Sequence, residues 1–228
     1  MSVSVVLAHG AWADGSSWAR IIGRLAEAGV ETVAAPLPLT TFEDDVAVLE
    51  RTIERVSGPV VLVGHAYAGA VIGAARSERV KALVYVAALA PAEGETVADV
   101  FYRAEPHAAA PKLAPDAHGL IYLPPDAFAT AFAQNASAVD LTVLAAVQRP
   151  ISPACITVPV PRPLWQDRPS WYLVAEQDRM IAPETQRFMA SRMRASTRVH
   201  AVDHTPLVSA PEIVLGIIRD AIAAVAGG

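Results

Sequence analysis

Short β-branched runs alternate with helix-period segments in both halves of this chain, and that alternation is the strongest constraint on its fold. Residues 3–8 read as a buried strand with no helical period, broken by His9-Gly10. Val30–Ala35 reads as a second strand, stopped by Pro36 and Pro38. Val60–Val63, Lys81–Ala88, Trp171–Ala175 and Thr197–Val202 read the same way. Between them, Ser16 or Ser17 can cap a helix carrying Trp18, Ile21, Ile22 and Leu25 on one face and ending near Gly29. Thr41-Phe42-Glu43-Asp44 opens another, with Val46, Leu49, Ile53 and Val56 at helical spacing up to Gly58-Pro59. A small-residue helix from about Ala70 to Ser77 and helices at Pro183–Met193 and Pro211–Val225 complete the pattern, the last two with proline in the first turn. Strand and helix in strict alternation predict an α/β domain: a mostly parallel sheet covered by helices on both faces.

Residues 92–168 break the rhythm. They are rich in proline and alanine, with expected helices at Pro125–Ala133 and Ala138–Val147 and a proline-punctuated stretch at Pro150–Pro169. The segment reads as a small lid inserted over one end of the sheet, with residues 1–91 and 169–228 forming the core. At 228 residues the chain has the size of one large domain with such an insertion.

Composition narrows the function. A hydrophobic fraction of 53% with 18% charged residues excludes disorder. With 18 Lys+Arg against 23 Asp+Glu there is no positive excess to neutralise phosphates, so no nucleic-acid partner is expected. The single cysteine, Cys155, makes no internal disulfide and completes no thiolate cluster; His107, His118 and His200 have no metal-ligand spacing with an acidic or thiol partner. No metal and no cofactor are expected. The N-terminus has no basic region or cleavage site of a signal peptide. The longest apolar stretch, Pro59–Ala75, carries His65 and several glycines and is too short to span a bilayer, so no membrane association is expected and a cytoplasmic, soluble protein is the default.

The informative feature is the junction where Val60-Val61-Leu62-Val63 runs into Gly64-His65-Ala66-Tyr67-Ala68-Gly69 and then into a helix. A sharp strand-to-helix turn lifts one side chain above the sheet, and small flanking residues let the strand and helix approach. His9-Gly10-Ala11-Trp12 follows the first strand, Glu176-Gln177-Asp178 a late one, and Asp203-His204-Thr205-Pro206 the last. On these four landmarks, in this order, the chain resembles the α/β-hydrolases, in the small branch of bacterial esterases, plant methyl esterases and hydroxynitrile lyases. The resemblance implies an α/β-hydrolase fold and spans nearly the whole chain. It departs from the G-x-S-x-G signature at the nucleophile position, where Ala66 stands, and at Ala68, a small residue in place of the second glycine.

The resemblance also implies roles. His204 would be the general base, Asp178 the acid that orients it, and the backbone N–H groups of Ala11 and Tyr67 the oxyanion hole. Asp203 adjoins His204, but neighbours on an extended segment point apart. Each residue also has a bland reading: Asp178 as a turn carboxylate, His204 as a loop histidine, His9 and His65 as packing residues around the first loop and the turn. Trp12 beside the first loop, and Tyr102, Phe128, Phe132 and Trp165 of the insertion, are candidates to line an apolar substrate pocket, with plain packing of lid on core as the other reading. The partner implied is a small, largely apolar ester or carbonyl compound.

Alanine cannot form an acyl-enzyme; loss of the serine in a subtilisin-type triad lowers kcat about 10⁶-fold. Three readings therefore stand side by side. The chain is an esterase whose serine was deliberately replaced to silence turnover. Alternatively, it is a natural enzyme in which the His204–Asp178 pair does base-catalysed lyase or hydration chemistry. The third is a ligand-binding protein that kept the pocket and lost catalysis. A hydroxynitrile lyase is disfavoured, because such relatives carry Thr after the first His and Lys after the catalytic His, where Gly10 and Thr205 stand here.

Overall fold

The computed structural model describes residues 2–227. Its six strands, β1 (Ser4–Ala8), β2 (Thr32–Ala35), β3 (Val60–His65), β4 (Val80–Val86), β5 (Ser170–Ala175) and β6 (Ser196–His200), form one sheet in the order β2-β1-β3-β4-β5-β6. Every pairing is parallel. Parallel neighbours need crossovers, and helices supply most of them: α1 (Ala19–Glu27), α2 (Phe42–Glu54), α3 (Ala68–Gly73) and, later, α7 (Pro183–Arg192); after β6 come the short α8 (Pro206–Ser209) and α9 (Pro211–Gly227). Helices α1 and α9 pack together over one face, α2 and α3 over the other. No described helix is long and apolar enough to cross a membrane.

The central strands show why their sequences are continuously apolar. All of β1 and β3 is buried, and in β4 only Lys81 is exposed. The edge strand β6 differs: its residues are mostly exposed, and it ends at His200 rather than at Val202 as the β-branched run suggested. The helix after β3 also departs from expectation, covering Ala68–Gly73 rather than Ala70–Ser77. Helix period alone does not locate its start, because the turn before it is built by close backbone approach.

The chain goes from β1 outward to β2, then returns past β1 to β3. The order therefore reverses between β1 and β3, and Ala8 pairs with Gly64, so the loops leaving both strands emerge side by side. In open α/β sheets the crevice outside the carboxyl ends of the strands, at such a switch point, is where ligands bind.

Between β4 and β5 the chain adds no strand to the sheet. It contains α4 (Val97–Phe101), α5 (Pro125–Ala127), α6 (Ala138–Val147) and one antiparallel bridge between Ile121 and Ile151. Helix α4 was not expected, yet its capping box is in the sequence: Thr96 accepts from the Asp99 N–H and Asp99 accepts from the Thr96 N–H. The single helix expected at Pro125–Ala133 is a short α5 that passes into a π-helical turn over Phe128–Phe132.

Gly64 shows how tightly strand and helix meet. A Cβ there would stand 2.8 Å from the Ala68 carbonyl oxygen and 3.0 Å from the Gly69 nitrogen. Those are backbone atoms and cannot swing aside. Gly64→Ala should therefore destabilise by about 1–3 kcal/mol, as overpacking does. In a chain of this size each kcal/mol lowers the thermal midpoint by roughly 2–4 °C, readable by circular dichroism.

Candidate active site

The turn after β3 has Ala66 at its apex with φ +50°, a left-handed conformation that costs a non-glycine residue about 1–2 kcal/mol. Backbone bonds hold it there: the Ala66 carbonyl accepts from Leu89 N–H at 2.9 Å and Gly69 N–H at 3.1 Å. At about 1 kcal/mol net apiece, two such bonds are enough to offset the strain. The loop after β1 passes directly over this apex. A Cβ on Gly10 would lie 2.8 Å from the Ala66 Cβ, so only glycine fits. Trp12 is also left-handed, at φ +57°. Its backbone N–H donates to the Arg149 carbonyl at 3.0 Å and its indole N–H to the Ile121 carbonyl at 2.9 Å, so the segment between β4 and β5 fixes this loop. The N–H groups of Ala11 and Tyr67 take no acceptor in the protein among the described residues.

Asp178 follows β5 and His204 follows β6. His204 Nδ1 donates to Asp178 Oδ2 at 2.8 Å, with both side chains buried. Asp178 Oδ1 accepts from the N–H groups of Met180 (2.7 Å) and Ile181 (2.9 Å), and Oδ2 accepts also from Gln186 Nε2 (2.8 Å). Four donors use the carboxylate's acceptor capacity to the full and leave it no freedom to turn. With Nδ1 committed, Nε2 is the imidazole nitrogen left for the cavity that His204 and Ala66 both line. Asp203, though adjacent, points away, accepting from Asn135, Thr205 and Ser209.

Two more histidines stand behind the apex. His65 Nε2 donates to the His204 carbonyl at 2.7 Å, and its ring lies 4.9 Å from that of His204. His9 Nδ1 donates to the Gly10 carbonyl at 2.9 Å. Burial pushes His9 down to about 4 and holds His65 well below the usual imidazole range, so both are neutral at pH 7. They are framework, not bases.

Sequence reasoning missed a buried cluster behind Tyr67. Asp45, in the first turn of α2, accepts from Tyr67 Oη at 2.7 Å and from Leu39 N–H at 2.8 Å, with the Cys155 thiol at 3.7 Å. Burial raises the Asp45 carboxyl and pushes the Cys155 thiol up to about 12, so that thiol is inert. The available signal was weak: a third consecutive acid at the start of a helix that, by period, falls on its inner face.

The cavity measures about 80 Å³. Its walls are Leu89, Val97, Phe101, Ile121, Met180, Ile181 and other apolar groups, together with Ala11, Trp12, Ala66, Tyr67, Tyr102 and His204. Of the aromatic candidates, Trp12 and Tyr102 line it. Phe132 does not; it is fully buried behind the wall, edge-on to Trp12 with centroids 6.3 Å apart and 5.2 Å from the His204 ring. Phe128 packs behind Phe132. Trp165 lies elsewhere, its indole N–H on the Pro91 carbonyl and its ring near the Arg192 guanidinium. Aromatic residues in the insertion were equally compatible with core packing, and for these three packing prevailed. Among the described residues no group of three His, Cys, Asp or Glu side chains could hold a metal ion.

A parallel sheet with a strained turn at its switch point, an acid after the fifth strand and a histidine after the sixth has the layout of the α/β-hydrolase class. The family model of the Alpha/beta hydrolase family matches residues 5–217, and the chain belongs to that family. A probable hydrolase of Phoma sp. is 28% identical over 242 residues, covering 95% of this chain and 96% of the relative. Among solved structures, polyneuridine aldehyde esterase superposes with a TM-score of 0.79 at 19% identity, over 96% of this chain and 99% of that one. The pyrethroid hydrolase PytH superposes with a TM-score of 0.83 at 20% identity, over 99% of each chain. Methylketone synthase I of tomato, in complex with β-ketoheptanoate, gives 0.83 at 17% identity, over 96% of this chain and 97% of that one. At these identities the structures establish the shared fold.

The neutral, buried histidines make acid sensitivity a property of the site's framework. Below pH 6.5 the unfolded chain takes up protons at His9 and His65 that the folded chain refuses. Stability should therefore be full above pH 6.5 and fall as pH drops toward 4. His9 alone should contribute about 3 kcal/mol to this loss, each pKa unit being worth about 1.4 kcal/mol. Urea denaturation at pH 7, 5.5 and 4 measures it.

Proposed function

We propose that this chain is an enzyme of the hydrolase family for a small, largely apolar ester or carbonyl compound, and that it works without a covalent acyl-enzyme. The observation that carries this is the pairing of His204, held by Asp178, with a methyl group at Ala66 across one apolar cavity. Where a serine esterase has a hydroxyl, Ala66 leaves nothing to attack a carbonyl carbon. His204 then has only a water molecule or a substrate C–H to draw a proton from. Asp178 keeps Nδ1 protonated and stabilises the imidazolium that forms. The free N–H groups of Ala11 and Tyr67 are the donors for the developing oxyanion, whether tetrahedral or enolate. Residues 92–168 act as the lid that keeps water out.

Ester chemistry is favoured by the neighbours named for it, polyneuridine aldehyde esterase and the pyrethroid hydrolase. A second reading, base-only chemistry on a carbonyl compound, is favoured by the neighbour solved with a β-keto acid, β-ketoheptanoate. There an enolate, rather than a tetrahedral adduct, would occupy the oxyanion hole. Either way the reacting end is small: the cavity of about 80 Å³ is little more than half the roughly 150 Å³ that holds benzene.

Restoring the hydroxyl tests the proposal. Ala66→Ser should gain about 10³-fold or more on p-nitrophenyl acetate over the chain itself, and His204→Ala in that background should abolish the gain. A serine variant no faster than the parent overturns the ester reading in favour of base-only chemistry, and a parent whose turnover is unchanged by His204→Ala overturns His204 as the working base. In the same variant acetyl and propionyl esters should outpace octanoyl esters in kcat/KM, since the cavity admits only a few heavy atoms.

A further inference from the structure

The segment from Phe128 to Asn135 reaches out of the insertion and touches both loops that carry the dyad. Its π-helical turn closes with the Ala133 N–H on the Phe128 carbonyl at 2.8 Å. This widened turn leaves the Phe132 carbonyl free of any helical partner, and Thr205 Oγ1 donates to it at 2.6 Å. π-turns inside helices recur at functional sites. The Phe132 ring packs on the His204 imidazole and on Trp12. Three residues on, the Asn135 N–H donates to Asp203 Oδ2 at 2.9 Å. The other oxygen of Asp203 takes the Thr205 N–H and the Ser209 hydroxyl. The side chains of Gln134 and Asn135 bond Gln177, next to Asp178, at 2.7 and 3.1 Å.

We infer that Phe132 and Asp203 are positioning residues for His204: together they form a clamp through which the insertion sets the orientation of the imidazole against Asp178. The backbone argument is direct. His204 lies between Asp203 and Thr205, and both flanking side chains are tied to the same short segment. From below, the His65 bond to the His204 carbonyl fixes the peptide. The ring's remaining freedom is rotation about χ1 and χ2, and Phe132 stands against the ring and blocks it. Asp203, fully buried and three times hydrogen-bonded, is otherwise an expensive group to keep in a core. Neither residue touches the cavity, so neither is a catalytic residue.

The clamp deepens the reading of His204 and Asp178 as a working dyad and rests on it. The test is the far-downfield proton resonance of the His204 Nδ1–H in the ¹⁵N-labelled full chain, assigned by its loss in His204→Ala. Phe132→Leu removes the ring, and Asp203→Asn turns an amide donor toward the Asn135 N–H. Each should broaden that resonance into exchange with water while the rest of the amide spectrum stays dispersed. Leu144→Ala, in the buried face of α6, controls for general destabilisation and should leave the resonance sharp. A resonance present in the parent but indifferent to both clamp variants, or equally lost in Leu144→Ala, overturns the clamp alone. Absence of any resonance that depends on His204 overturns the dyad and the clamp with it.

Discussion

The parallel pairing of β1 with β3 is the contact on which the site depends. Because the strand order reverses between them and Ala8 lies beside Gly64, two loops from distant parts of the chain leave the sheet in direct contact. Gly10 against Ala66 is the tightest point of that meeting, and it allows the unpaired N–H groups of Ala11 and Tyr67 to face one cavity. Without this adjacency His204 and Asp178 would still be hydrogen-bonded, but nothing would oppose them.

Around that contact lies a frame of buried polar groups. His9 and His65 are kept neutral by burial and spend their protons on the Gly10 and His204 carbonyls. Asp45 holds Tyr67 and Leu39, and Asp178 is surrounded by four donors. The two carboxylates are costly to bury and are tolerated because their donors are in place. Each histidine ring bonds through one nitrogen only and is kept neutral, with His9 Nε2 and His65 Nδ1 left without a partner. The networks also specify one geometry. The apolar cavity inherits its rigidity from them. The strain at Ala66 is small beside the hydrogen bonds and packing that impose it.

The insertion has two roles that differ physically. Through α4, Ile121 and Ile151 it supplies apolar wall to the cavity. Through Arg149 and Ile121 it holds the Trp12 loop, and through Phe132 and Asn135 it reaches the His204 loop. A segment that adds no strand to the sheet thus governs the shape of the site more than any single helix of the core.

Much of this was legible in the amino-acid order. Runs such as Val60–Val63 are apolar without alternation because a parallel strand buried on both faces has no solvent side. The landmarks at His9-Gly10, Gly64–Gly69, Asp178 and His204 fall at strand ends because chemistry in this fold is carried on the loops there. The fate of Phe128, Phe132 and Trp165 was not legible: an aromatic ring serves a pocket wall and a core equally well, and only three-dimensional packing chooses. Nor was Asp45, whose inward aim depends on where α2 lies against the turn after β3. Sequence by itself determined the strand-and-helix alternation, the order of the site residues and the absence of a hydroxyl at position 66, since these are properties of local pattern and residue identity. Tertiary structure alone decided the size of the cavity, the donors around Asp178 and the grip of the insertion on His204, because each arises between residues far apart in the chain that only the folded sheet brings within hydrogen-bonding reach.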